Sequence, residues 1–281
     1  KRGENYQFEM SSPITAEKSC SRLSTHLTYG TISHRTVFQE AAKKRDQIKH
    51  TNKNFAKSIN SFLSRLHWRS HFIQKLEDQP SIEHTSFIPV YDQIREKDEE
   101  KLEAWIEGKT GVHFIDACMI YLRNYGWINF RMRAMLASFA SYNLWLDWRY
   151  FAPRLAALFT DFEPGIHYSQ CQMQAGRTGI NTIRIYNPIK QSMDQDPDGI
   201  FIRRWVPELR NVPSSGVHQP WHYGHKQPIV DEKLAREQAS KRLYSVRKQP
   251  YFRDEASNIV KKHGSRRRIK KAPNQLKLNL E

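Results

Sequence analysis

The sequence predicts an all-α protein. Two stretches, Leu23 to Ala42 and Phe55 to Leu76, repeat their apolar residues at three and four positions, the spacing of one face of an amphipathic helix. Few stretches alternate apolar and polar residues as a half-buried strand does. The least polar part of the chain, Ile115 through Trp148, reads as two buried helices joined around Asn124 to Trp127, and these form the expected core.

The remaining elements follow from punctuation. Residues 78–93 carry two prolines among polar breaks and read as a surface loop. Helices resume near Asp98. Beyond the core, Pro153, Pro164, Pro188, Pro197 and Pro207 divide the chain into short elements, and a last amphipathic helix spans about Asp231 to Lys248. The segment Lys261 to Lys271 is too charged to pack and is expected to be mobile unless bound. Two parts result: a helical body over 1–235 and a basic C-terminal helix and tail over 236–281.

Composition narrows the function classes. A chain of 281 residues can bury a sizeable core. No apolar run approaches the ~18 residues of a membrane span, so no membrane partner is expected, and the chain is read as cytoplasmic, or nuclear in a eukaryote. Cys20, Cys118 and Cys171 are odd in number and widely spaced, which argues against a disulfide framework, a zinc site or a four-cysteine cluster, and no metal is expected. The net charge of +16 is uneven: residues 233–281 hold fifteen Lys or Arg against four acids, leaving +5 for the first 232. A basic tail of this kind, with Arg266, Arg267 and Arg268 at its centre, favours a polyanion by counterion release, and nucleic acid is the commonest such partner.

Three stretches carry a family resemblance: SCSRLSTHLTYGTISHR at 19–35, WIEGKTGVHFIDACMIYLRNYGWINFRMRAMLASF at 105–139 and RIYNPIKQSMDQDPDGIFIRRWVPEL at 184–209. In this order and spacing they resemble the FAD-binding helical domain of the photolyase and cryptochrome family, over about Tyr6 to Arg236. The N-terminal α/β domain that holds the antenna pigment in most relatives has no counterpart here, which leaves room for a separate antenna-domain partner. The resemblance implies that Cys20, Ser21, Arg22, Leu23 and Ser24 hold the FAD diphosphate. Hydroxyls, amides and a guanidinium at a helix start suit an anion on general grounds, although Ser21 can equally be a plain N-cap. Family position also puts Tyr6, Trp68, Arg69, Trp127 and Glu163 beside the cofactor, and pairs Arg133, next to the flavin ring, with Asp161. Arg131 and Arg133 lie about 200° apart around a helix, so one can face the flavin and the other an outside pocket. His167 falls where relatives carry the residue facing the flavin ring. It can donate a proton near neutral pH, or it can be bonded only to backbone.

The sequence also departs from the family. Trp68 keeps the wall on which a flipped-out lesion stacks, with Arg131 beside it. The carboxylate that dimer photolyases place three residues before that Trp is Arg65 here, their pocket asparagine is Phe130, and their second pocket Trp is Met173. Aromatics and arginines still suit bases in a single strand. The light-driven relay of tryptophans keeps only its middle member, Trp148, because Cys171 and Arg95 replace the other two; Trp145, Tyr168 and Trp127 offer another route. Two functions are expected to compete. One is an FAD-dependent, DNA-binding deoxyribodipyrimidine photo-lyase that acts on single-stranded or lesion-containing DNA. The other is a cryptochrome-like blue-light photoreceptor without repair activity.

Overall fold

The computed structural model describes residues 2–95, 97–179 and 182–263. Among these residues the chain forms helices α1 (Tyr6–Glu9), α2 (Pro13–Ser19), α3 (Ser24–Thr28), α4 (His34–Ile48), α5 (Lys53–Asp78), α6 (Glu99–Glu107) and α7 (His113–Tyr125). They are followed by α8 (Phe130–Ser138), α9 (Trp148–Ala156), α10 (Pro164–Gln174), α11 (Pro188–Gln195), α12 (Ile200–Trp205), α13 (Glu232–Arg247) and α14 (Pro250–His263), with short 3₁₀ turns, a π-helical turn at Phe139–Asn143 and no strand element. The fold is all-α, and no helix among the described residues is long and apolar enough to cross a membrane.

Local chemistry sets the boundaries. The periodic stretch from Leu23 to Ala42 is broken into α3 and α4, because Gly30 takes a left-handed φ of 69° and Ser33 caps α4 by accepting from the Thr36 amide at 3.0 Å. Asp98 and Asp231 cap α6 and α13 in the same way, through the amides of Lys101 and Leu234. α7 and α8 meet at Gly126, whose φ is 62° and whose added Cβ would lie 2.4 Å from the Thr160 methyl. The close approach lets the Thr160 amide donate to the Gly126 carbonyl at 2.9 Å, which fixes the loop carrying Asp161 against the turn carrying Trp127.

The central core lies between α6, α7, α8, α9 and α12, with Trp105 and Phe151 edge to face at 5.8 Å. A second cluster joins Ala239, Leu243 and Val246 of α13 and Phe252 of α14 to Tyr91 and Tyr142, so the expected boundary at 235/236 falls inside α13, which packs against the body. Residues 78–93 are not a surface loop. Ile82, Phe87, Ile88 and Tyr91 are buried. The Gln172 side-chain amide donates to the Ile82 and Thr85 carbonyls at 2.8 and 3.0 Å, and its oxygen accepts from the Phe87 amide at 2.7 Å. With its polar backbone satisfied from α10, the segment can enter the interior at little cost.

Candidate cofactor site and its outer wall

Three sequence-distant pieces converge around Arg133. Its Nη1 and Nη2 donate to the two oxygens of Asp161 at 3.0 and 2.9 Å, its Nε donates to the Ile128 carbonyl at 2.7 Å, and the guanidinium lies 4.2 Å from the Phe159 ring centre. The Asp161 side chain is only 3% exposed against 25% for Arg133, so the cation faces a partly open space while its partner stays inside. Phe159 carries no distinguishing signal in the sequence.

The turn after α2 supplies a second set of cations and donors. Arg22 adopts a left-handed φ of 60° and is followed by Leu23 at φ −83°, an alternation that turns successive amides toward one side. Leu23, not Ser21, is the N-cap of α3, and that end has no side-chain cap; the Ser21 hydroxyl accepts only a long bond from the Leu23 amide, at 3.4 Å. The first-turn amides from Ser24 onward therefore lack intrahelical acceptors. The Arg22 guanidinium covers the Trp127 ring at 4.0 Å. Cys20 lies within the influence of Arg22 and Arg133, yet burial dominates and holds its thiol up at about 11. Tyr6 closes this side, edge-on to Phe62 at 6.4 Å, with its hydroxyl pKa raised chiefly by burial and drawn back by the Arg65 cation.

The α5–α10 contact completes the enclosure. A Cβ on Gly165 would lie 2.8 Å from the Ile73 Cα, so the two helices meet almost backbone to backbone. Across this contact Arg69 donates to Glu163 at 3.0 Å and to the Leu27 carbonyl at 3.1 Å, while its buried Nη1 has no partner and remains available to an acceptor in the site. His167 lies behind the site, on α10. Its Nε2 proton goes to the Ala152 carbonyl at 2.8 Å, and burial pushes its pKa down to about 4. Burial thus favours the neutral ring, with Nε2 bonded to backbone. Amides, guanidiniums and a fixed cation beside aromatic rings fit an anionic cofactor with a diphosphate and a ring that takes up negative charge.

The family model for the FAD binding domain of DNA photolyase matches residues 62–245, more than half of the chain. The chain belongs to the photolyase/cryptochrome family. It is 33% identical over 256 residues to the deoxyribodipyrimidine photo-lyase of Escherichia coli, covering 86% of this chain and 53% of that protein. The crystal structure of a bacterial class III photolyase from Agrobacterium tumefaciens superposes with a TM-score of 0.78 at 28% identity, over 87% of this chain and 53% of that one. An archaeal photolyase from Sulfolobus tokodaii with two FAD molecules gives 0.73 at 30% identity, over 84% and 52%. The chain thus spans about half the length of the relatives it matches, and its fold is that of the family's FAD-binding domain.

Within this photolyase-type domain the expected outer-wall residues come from α5, α8 and α10. Trp68 is 45% exposed and stacks on Phe72 at 5.7 Å with 26° between planes. Phe130 is 52% exposed at the start of α8, which is tied to the N-terminal segment by Asn129 donating to the Met10 and Ser11 carbonyls. Arg131 turns away from Arg133 and reaches Gln191 of α11 at 3.5 Å, leaving its buried Nε without a partner. Arg65 is exposed and Met173 half-buried in the last turn of α10. Arg266, Arg267 and Arg268 lie outside the described residues.

The aromatic residues behind the site form two separate groups. Trp148 is fully buried, donates to Ser86 at 3.0 Å and meets Tyr168 edge-on at 6.3 Å, and Tyr168 meets His167 at 5.4 Å. Trp145 instead lies between two guanidiniums, Arg95 at 4.6 Å and Arg242 at 4.9 Å from its ring centre. Burial, and secondarily Arg177, hold Arg95 down at about 9.

Proposed function

We propose that this chain holds FAD noncovalently and works as a DNA photolyase, splitting pyrimidine dimers in single-stranded or lesion-containing DNA under blue light. The observation that carries the reading is the adjacency of Trp68 and Arg69 on α5. The first offers a half-exposed stacking face to a base, and the second points inward to Glu163 and the open side of the cofactor site. One rigid helix therefore sets the separation between lesion and cofactor. When bound, the flavin supplies light absorption and the electron for dimer splitting.

In this reading the Arg22–Leu23 amides, Ser24 and the Arg69 Nη1 hold the diphosphate, and Trp127, covered by Arg22, closes one side of the site. Arg133, fixed by Asp161, stabilises negative charge on the ring. Tyr6, Cys20, Ser21, Leu23 and Glu163 shape the enclosure. His167 excludes water and keeps its own proton on Ala152. Trp68, Phe130, Arg131, Arg65 and Met173 receive the extruded bases, apolar contact and arginines taking the place of the family's polar contacts. Trp148 and Tyr168 make the most direct aromatic path toward the cofactor, whereas two cations beside Trp145 raise the cost of oxidising it.

The replacement of a pocket asparagine by Phe130 and of a stacking Trp by Met173 favours a second reading, a cryptochrome-like photoreceptor without repair. A photorepair assay on thymine-dimer oligonucleotides, single and double stranded, separates the two. Light-dependent loss of dimers with the flavin-loaded protein is expected; a flavin-loaded protein that leaves dimers intact in both substrates rejects the repair reading, and a preparation that never takes up FAD rejects both.

A further inference from the structure

The charge of the folded body is concentrated on one helical hairpin. Residues 43–65 hold seven Lys or Arg against Asp46 as their one acid, a net of +6. The first 232 residues together carry +5, so everything else in them sums to −1. The hairpin is the end of α4, its turn and the first half of α5. Lys43, Lys44, Lys49, Lys53 and Lys57 are exposed there, and among the described residues none is in an ion pair. Arg45 spans the two helices, paired with Asp46 at 3.0 Å and reaching Asn60 at 3.5 Å.

Helix geometry aligns two of these cations, Lys53 and Lys57, with the outer wall. At 100° per residue, Lys53, Lys57, Asn60, Ser64 and Trp68 fall within about 80° of one face of α5. Ile59, Leu63 and Leu66 are turned away from that face and buried. Lys53 lies about 22 Å from Trp68 along the helix axis, long enough to follow several phosphates of one strand. Between them on this face stand Lys57, Asn60 and Ser64, and the exposed large apolar side chains among the described residues include none from 43–65.

We propose that this face of α5, with the α4–α5 turn, is a track for the sugar-phosphate backbone of a DNA strand whose base lies on Trp68. The proposal rests on the reading of Trp68 as the base-stacking wall. A cationic groove running into an exposed aromatic is the arrangement that binds single strands without sequence preference. The lack of exposed apolar side chains among the cations disfavours a membrane surface, which takes an apolar face as well as charge.

The test is the flavin-loaded protein carrying Lys49→Gln, Lys53→Gln and Lys57→Gln together, titrated in the dark with single-stranded oligonucleotides with and without one thymine dimer. Affinity for both should fall roughly tenfold near 0.1 M salt, and the log–log salt slope should drop by about 2, at ~0.7 for each phosphate no longer neutralised. The ratio of the two affinities and the flavin absorbance should not change, and replacing the same three lysines with Arg should keep the wild-type slope. An unchanged slope and affinity in the Gln variant would overturn the track. Tighter binding of RNA of the same sequence would overturn the assignment to DNA. If the wild type shows no preference for the dimer while the Gln variant still loses slope, it is the base site that fails and the track that stands.

Discussion

Arg133 and Asp161 form the charge pair on which the proposed cofactor site depends, and their unequal exposure predicts how the pair fails. Removing one partner of a buried pair costs about 3–5 kcal/mol, and the partial exposure of Arg133 lets water recover some of it. Asp161→Asn should lower the thermal midpoint and, more sharply, the flavin retained per protein, because the ring would face a guanidinium no longer held in place. Equal flavin retention in wild type and variant would remove Arg133 from the site. His167 gives a pH dependence. Its pKa is about 4 in the fold against an ordinary ~6.5, so between these values the unfolded chain binds a proton that the native state does not. Its contribution is present above about 6.5 and is lost as pH falls toward 4. His167→Asn should therefore lose less stability than wild type between pH 7 and 5, by about 2 kcal/mol, read from urea midpoints. Identical losses would mean that the ring takes up its proton in place. His113, also held at about 4, keeps the variant acid-sensitive.

Among the elements, the long helices were legible because their apolar period is local: α5, α7 and α13 begin and end within a few residues of where spacing and caps predict. The segment 78–93 was not, since its prolines and polar residues carry the same signal whether or not a distant side chain satisfies its backbone. That side chain, Gln172, stands some eighty to ninety residues further along the chain. Gln172→Ala should cost about 2–4 kcal/mol by leaving two carbonyls and an amide buried without partners. Amide exchange should rise first over residues 82–87, before any global loss. Gln172→Glu, which retains the acceptor and loses both donors, should fall between. Uniform exchange across the helices of the Ala variant would show that the segment is not held by this side chain. The candidate site has the same mixture: the Arg133–Asp161 pairing was readable from the family motifs, while the contact with Phe159, the bond from His167 to Ala152 and the cations beside Trp145 arise only when distant parts of the chain meet.

Over the whole molecule, charge has two centres along the sequence, the α4–α5 hairpin and the C-terminal residues 264–281. The basic face of α4 and α5 lies toward the N-terminal end of α5. At the other end, His263 of α14 binds Gln79 at 2.8 Å, and residues 264–281, which follow it, hold six Lys or Arg against one acid. Under the proposed function, both stretches would add affinity through phosphates without adding base selectivity. Deleting residues 264–281 should flatten the salt slope by ~0.7 for each phosphate that the tail neutralises, while leaving flavin absorbance and the thermal midpoint unchanged. If tail and α5 face touch different phosphates, the slope changes from the deletion and from the triple Lys→Gln variant should add in the combined protein. A combined change no larger than either alone would mean that both act on the same phosphates. An unaltered slope in the deletion protein would assign the electrostatic binding to the folded body and leave the tail without a part in it.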